Sequence, residues 1–480
     1  MSNSAAPVDS TDDPATVAPG ASPTRAALRL QAEISGPVLT PGDAGYADEV
    51  VGFNLALPHS PDLVVAATSA ADVVAAVRYA AEHGLPVGVQ ATGHGVVSIV
   101  DRGLLITTSR MQDVEVDPVA RTATVGAGVK WRHVMDAAAP HGLTGPCGST
   151  SDVGVVGYTL GGGLPVLGRA IGYASDHVRS MDVVTADGRL RHVDAGHDGD
   201  LFWALRGGKG NVGIVTSMTL ELLPIAQVHG GGIFFDGQHS EPVLRAFREA
   251  TARASEQTCL SLAFLRLPPL PDVPEPLRGR FVVHVRVSHV GDPAEADGVL
   301  ATIRGAAPAM MDLVGPLPTS ELDRVHNDPE HPLPVYERGA LLRDLDDATL
   351  ATLLRLAGPE SRTPVLLVEV RQLGGALGRP GPHPDAVGSR DAGFSLYTVG
   401  ILAPPVAEIM PDAVEGLVAA MSEHCTGGAL VNLHGTIRTD DDRVRCWSPD
   451  TYGRLQSTKA AHDPTNMFRF GHAVAMPAGR

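Results

Sequence analysis

The stretch Gln90-Ala91-Thr92-Gly93-His94-Gly95, read with Cys147-Gly148-Ser149-Thr150-Ser151-Asp152-Val153-Gly154-Val155-Val156-Gly157-Tyr158-Thr159-Leu160-Gly161-Gly162-Gly163, decides the fold. The first segment sets one imidazole between glycines, where the chain turns sharply and comes close to a ligand. The second interleaves glycines with Val153, Val155, Val156 and Leu160, which argues against a freely solvated loop. Both features suit main-chain N–H groups laid against a large planar ligand that carries a diphosphate. The second tract is not a GxGxxG fingerprint opening a helix, and no GK[ST] follows it.

Upstream, Leu63 to Ala67 reads as a strand, Ser69 caps a helix running to His83, Gly84 stops it, and Leu85 to Val89 is the next strand. The first glycine turn therefore follows a β-α-β unit. Further strands are expected at Leu104 to Thr107, Thr122 to Val125 and Val178 to Val184, with a helix from Trp131 to Ala139. Gly207-Gly208-Lys209-Gly210-Asn211-Val212-Gly213 joins a helix to a strand. Short strands broken by such turns predict an α+β unit over residues 25–224.

After Pro224 the pattern changes. Ser261 to Leu267, Phe281 to Val287 and Val365 to Gln372 read as strands, interspersed with helices over Glu241 to Arg253 and Ala294 to Arg304. An antiparallel sheet flanked by helices is expected over 225–449, and residues 450–480 are expected to return to the first unit. Residues 1–24, rich in Ser, Ala, Pro and Asp, read as a disordered leader without the apolar core of a secretion signal.

Composition narrows the function classes. The 480 residues carry a formal net charge of −17, and lysine occurs only at Lys130, Lys209 and Lys459. So acidic a chain, without a basic cluster, argues against nucleic acid and anionic membrane as partners. Cys147, Cys259, Cys425 and Cys446 show no CxxC spacing, which favours a reduced, cytoplasmic protein. No histidine, cysteine or carboxylate pattern supports a metal or iron-sulfur site. Oligomeric state is not legible.

Taken in order, the three glycine-rich segments resemble the FAD-binding domain of the vanillyl-alcohol-oxidase superfamily, the PCMH type, and most of all its berberine-bridge-enzyme-like branch. The resemblance runs from Gly36 through Leu223 and returns at Arg454 to Phe468. It implies an FAD-binding domain of two subdomains, split in sequence around an antiparallel-sheet substrate domain. It implies FAD bound by Gln90, Ala91, Thr92, Gly93, His94, Gly95, Gly148, Ser149, Thr150, Gly154, Gly157, Asn211, Gly213, Val215, Asn466 and Phe468, with His94 as the covalent attachment. Many relatives add a thioether from a cysteine three residues before a Val-Gly-Val stretch; here that position is Thr150, and Cys147 lies three residues earlier. A single bond through His94 is the expectation, which a shift of register toward Cys147 would reverse.

The resemblance also implies a small-molecule oxidoreductase acting on an alcohol, a sugar or a secondary-metabolite intermediate, with hydride passing to flavin N5 and dioxygen as acceptor. A dehydrogenase that excludes oxygen, an oxidative cyclase and a non-enzymatic flavin protein are its rivals. Relatives often place a tyrosine after an asparagine near the end of the substrate domain, whereas Asn432 is followed here by Leu433 and His434. The base is therefore sought among His434, Tyr397 and the strand Val368-Glu369-Val370-Arg371-Gln372. Alternation along that strand sets Glu369 and Arg371 on one face and Gln372 on the other, so either set could meet substrate. A structural ion pair is an equal reading of Glu369 and Arg371.

Overall fold

A computed structural model describes residues 23–477. Residues 1–22 of the expected leader and residues 478–480 of the tail lie outside it, and residues 23 and 24 belong to the helix Pro23–Gln31.

Three sheets organise the chain. In the first, Val38–Leu39 pairs antiparallel with Leu63–Ala66, and Leu63–Ala66, Leu104–Thr107 and Val87–Gln90 run parallel in that order. The helix Ala70–His83 makes the crossover, and it starts and stops for local reasons. The Ser69 side chain accepts from Asp72 N, and Gly84 closes the helix in the left-handed region at φ 64°. The Asp72 carboxylate in turn accepts from the Ser35, Gly36 and Thr68 amides, pinning the incoming chain to the helix N-terminus.

The second sheet is antiparallel, in the order Val114–Asp117, Thr122–Gly126, Ile214–Glu221, Val178–Val184 and Leu190–Asp194. Its core gathers Trp131, Val134, Met135, Phe202 and Trp203. The second glycine tract is not loop throughout, for Gly154 opens a short helix, Val155–Leu160, that buries Val155, Val156 and Leu160. Its apolar residues, spaced for one helical face, explain the difference.

The third sheet has eight antiparallel strands, all drawn from residues 227–401. Its order is Ala309–Asp312, Gln227–Asp236, Phe281–His289, Thr258–Arg266, Leu367–Gln372, Phe394–Ile401 and Val335–Leu342, with Gly315–Pro318 also paired to Gln227–Asp236. Alternation divides its faces. Leu262, Phe264, Val283, Val285, Val368, Val370 and Leu396 are buried on one side in the core that includes helices Ser240–Arg253, Pro293–Arg304, Asp347–Ala357 and Met410–Ala420. The opposite face carries polar side chains toward the first two sheets.

The helix Pro449–His462 folds back on residues 199–211. Arg454 covers the Trp203 ring at 4.0 Å and pairs with Asp200 at 2.7 Å. Beneath it the fully buried Lys459 donates to Asn211 O, Asp463 Oδ2 and Phe468 O at 3.1, 2.9 and 2.9 Å. A buried ammonium is tolerated only when its donors are met in this way. All four cysteines are free thiols, and among the described residues no helix is long and apolar enough to cross a membrane.

Candidate active site

A cavity of about 510 Å³ lies between the polar face of the eight-stranded sheet and the glycine segments, within the range typical of small-molecule and cofactor sites. One wall is loop and helix terminus; the other is sheet.

On the loop wall, the turn after strand Val87–Gln90 brings Gln90 through Gly95 to the cavity, joined by Gly148, Ser149, Thr150, Gly154 and Gly157, then Asn211, Gly213, Val215 and Phe468. Gly93 is at φ 71°, and a Cβ there would meet Gly52 Cα at 2.5 Å, so no other residue fits beside His94. The His94 ring stacks on Phe53 at 3.9 Å, and its Nδ1 lies 2.9 Å from Thr92 Oγ1. Burial pulls its pKa down to about 4, outweighing the Asp152 carboxylate, which Lys130 already pairs at 2.5 Å. The imidazole is therefore neutral at pH 7, and its buried Nε2 has no hydrogen-bond partner.

These residues fit a flavin dinucleotide. Among the described residues, the turn at His94–Gly95 aside, the main-chain N–H groups from Ala91 to Val97 make no close hydrogen bond to a protein acceptor. Such a run of free donors is costly unless water or an anionic ligand meets it. A Cβ on Gly157 would meet nothing within 4 Å, so this glycine borders open cavity rather than a packed neighbour. Thr150 faces the cavity, whereas Cys147 sits behind it in the core, Sγ 3.9 Å from Thr150 O. Burial pushes the Cys147 thiol well up, so the thiolate is suppressed.

One expected contact, Asn466, lies off the cavity. It occupies a left-handed turn at φ 53°, closed by its amide to Asp463 O, and Phe470, Gly471 and His472 reach the cavity instead. Asn211 reaches the wall, but its side chain is occupied in holding the tail, with Nδ2 donating to Gly208 O and His472 O and Oδ1 accepting from Val474 N.

On the sheet wall, Glu369, Arg371 and Tyr397 share one face, with Glu369 directly opposite Tyr397. Gln372 points away, its amide donating to Thr251 O at 2.8 Å, as its place in the alternation requires. His434 is also excluded from the cavity: it is fully buried, with Nδ1 3.1 Å from Gly435 O, and burial draws its pKa down to about 4. Neither residue is placed to act on a ligand there. Asn432 and Leu433 do line the wall, and Asn432 bridges the two sides, accepting from Lys209 Nζ at 2.5 Å and donating to Tyr158 O at 2.8 Å.

The sequence reading missed Glu337. It lies on Val335–Leu342, beside Phe394–Ile401, and its Oε2 accepts from the Tyr397 hydroxyl. Among the described residues no basic side chain lies within ion-pair distance of it. Burial pushes its pKa up to about 7, against the lowering effect of that hydrogen bond. Glu369, on the same face, is the opposite case. Burial opposes its ionisation too, but Arg371 at 3.1 Å and Arg286 at 2.9 Å hold it well below the usual carboxylate range. One carboxylate is thus poised to exchange a proton near neutrality and the other is locked as an anion. The signal for Glu337 was present: alternation in Val335-Tyr336-Glu337-Arg338-Gly339-Ala340-Leu341-Leu342 puts one acid on a face with Val335, Gly339 and Leu341. Arg286 was likewise legible, among Val283, Val285 and Val287.

Residues 61–194 match the family model described as FAD binding domain, FAD_binding_4. Over 459 residues, 92% of this chain and 97% of the other, the sequence is 28% identical to YgaK, an uncharacterized FAD-linked oxidoreductase of Bacillus subtilis. It is 26% identical to the (R)-6-hydroxynicotine oxidase of Paenarthrobacter nicotinovorans over 93% of this chain and 98% of that one. The FAD-binding domain and these relatives make the chain an FAD-dependent oxidoreductase. This oxidoreductase shares its fold with Physcomitrella patens BBE-like 1, at a TM-score of 0.80 and 19% identity over 94% of this chain and 100% of that one. The α+β architecture expected from the glycine segments is the one found.

Proposed function

We propose that the oxidoreductase removes two electrons and two protons from a hydroxyl- or amine-bearing carbon of a small molecule, an alcohol, a sugar or a secondary-metabolite intermediate, with Tyr397 and Glu337 as the base. The observation that carries this reading is the Tyr397–Glu337 pair on the cavity face, a phenol bonded to a carboxyl that titrates at about 7. A general base works best with a pKa near the operating pH. The substrate hydroxyl gives its proton to Tyr397 Oη as Tyr397 gives its own to Glu337 Oε2, so the proton ends on Glu337. Tyr397 alone would not serve, because burial and then the adjacent Glu337 push its own pKa well above 10. FAD, held by His94 and the glycine segments, would supply the acceptor for the hydride of the adjacent carbon, with dioxygen as the terminal two-electron acceptor giving hydrogen peroxide.

His94 holds the cofactor by a single covalent bond in this reading. Its neutral, buried imidazole is a competent nucleophile, and Thr150 at the second position carries no thiol. A fixed cofactor keeps the reacting carbon and the base in one geometry. The test is a substrate screen for peroxide release, repeated with Glu337→Gln. Turnover lost in this variant while flavin content stays at the wild-type level supports the assignment; full turnover overturns it.

A further inference from the structure

On the sheet wall two guanidinium groups share one directly paired carboxylate. Arg286 and Arg371 flank a single carboxylate, Glu369, and side-chain exposures are 3%, 14% and 4%. Arg286 Nη1 donates to Glu369 and its Nε to His284 Nδ1. Arg371 spends only Nη2, on Glu369 and on His326 Nε2 at 3.0 Å. Its Nε is buried without a partner, and among the described residues its Nη1 makes no hydrogen bond. Close by, the buried Tyr158 hydroxyl also lacks a partner and lines the same cavity. His326 adds no negative charge, and among the described residues Asp328 and Glu337, the other acids on the cavity wall, make no ion pair with either arginine, although the Asp328 charge reaches Arg371. An enclosed guanidinium with unspent donors is unfavourable unless an anion completes it, and a carboxylate matches its planar fork.

We propose that Arg371, assisted by the Tyr158 hydroxyl, is an anchor for a carboxylate on the substrate, so that the oxidoreductase acts on small hydroxy or amino acids rather than on neutral alcohols or sugars. This inference rests on the reading of the Tyr397–Glu337 pair as the base at the same site. The register sets the spacing. Tyr397 is opposite Glu369, and Arg371 is opposite Ser395, so Arg371 and Tyr397 are diagonal neighbours on one face. Diagonal side chains in an antiparallel pair stand roughly 7 to 8 Å apart at the backbone, a gap that a substrate with only a few bonds between its carboxylate and its reacting carbon can span. Glu369, opposite Tyr397 and paired with Arg371 at 3.1 Å, adjoins both positions.

The test uses two isosteric probes, benzoate and benzamide, titrated calorimetrically into the FAD-loaded protein at pH 7. The expected result is benzoate binding at least ten-fold tighter than benzamide, with Arg371→Gln bringing the two within about two-fold and Arg371→Lys keeping part of the preference. Unchanged benzamide binding in Arg371→Gln shows that the variant is folded, and Arg371→Lys, which keeps the charge, covers its failure to fold. Equal affinity for the two probes in the wild type overturns the anchor. So does a preference that survives Arg371→Gln while the flavin midpoint potential shifts, which would assign the arginine to the cofactor. Calorimetry reads the preference with or without flavin, so loss of the anchor is separable from loss of the base reading, which Glu337→Gln turnover tests on its own.

Discussion

The two walls of the cavity do opposite things with charge. The loop wall presents main-chain donors and a neutral imidazole, with Lys209 held by Gly157 O and Asn432, and behind it Lys130 pairs with Asp152. The sheet wall presents two guanidinium groups, two carboxylates and a phenol on adjacent rungs of one face. A wall of backbone binds by shape and is indifferent to which reaction follows. A wall of ionisable side chains selects substrate and moves protons, and one exchanged residue changes its chemistry.

The sharpest way to break that division is to remove the base. Glu337→Gln or Tyr397→Phe should lower turnover by on the order of 10²- to 10⁴-fold, the range for a general base, and leave FAD content unchanged. His434→Ala, off the cavity, should leave the turnover of folded enzyme within a few-fold of wild type. Comparable losses in all three would erase the distinction between a residue on the wall and one behind it. The pH profile sharpens the same point. Activity requires ionised Glu337, so kcat/KM should rise as pH increases through about 7 and then level off. Tyr397→Phe removes a hydrogen bond that lowers that value, so its residual activity should rise at higher pH still. Stability runs the other way. Folding raises this carboxyl from 4.5 to about 7, so its contribution is present below 4.5 and is lost as pH rises through about 7. Melting temperatures of Glu337→Gln measured against wild type should therefore gain over that interval.

Smaller effects probe how the walls are joined. Asp463→Asn leaves Lys459 buried without its counter-charge, and about 3 to 5 kcal/mol of stability should be lost in denaturant unfolding. Asn432→Ala leaves the half-buried Lys209 short of one acceptor, costing about 1 kcal/mol. Cys147→Ala should cost only about 1 kcal/mol and leave the bound flavin untouched; flavin lost from this variant would place the thiol on the cofactor.

The walls also differed in how legible they were. Gly93 and Gly95 flank His94 directly because the loop wall is built from local turns, and glycine-rich runs in the sequence expose such turns. Several strands of the first two sheets followed from apolar periodicity, while Val38–Leu39, Val114–Asp117 and Leu190–Asp194 did not. The sheet wall is assembled across strands far apart in the chain: Glu337 meets Tyr397 only through pairing of Val335–Leu342 with Phe394–Ile401. Alternation within Leu367–Gln372 set Glu369 and Arg371 opposite Gln372, yet which face met the cavity depended on where helices cover the sheet. His434 was singled out by its place beside Asn432, but the 3-10 turn Val431–Leu433 carries it behind the wall.

The central claim, that FAD is fixed to the loop wall through His94, is tested most directly by acid precipitation of the purified protein followed by an absorbance spectrum of pellet and supernatant. A yellow pellet in the wild type, and flavin released to the supernatant or absent in His94→Ala, is the predicted result. All of the flavin in the wild-type supernatant would contradict it.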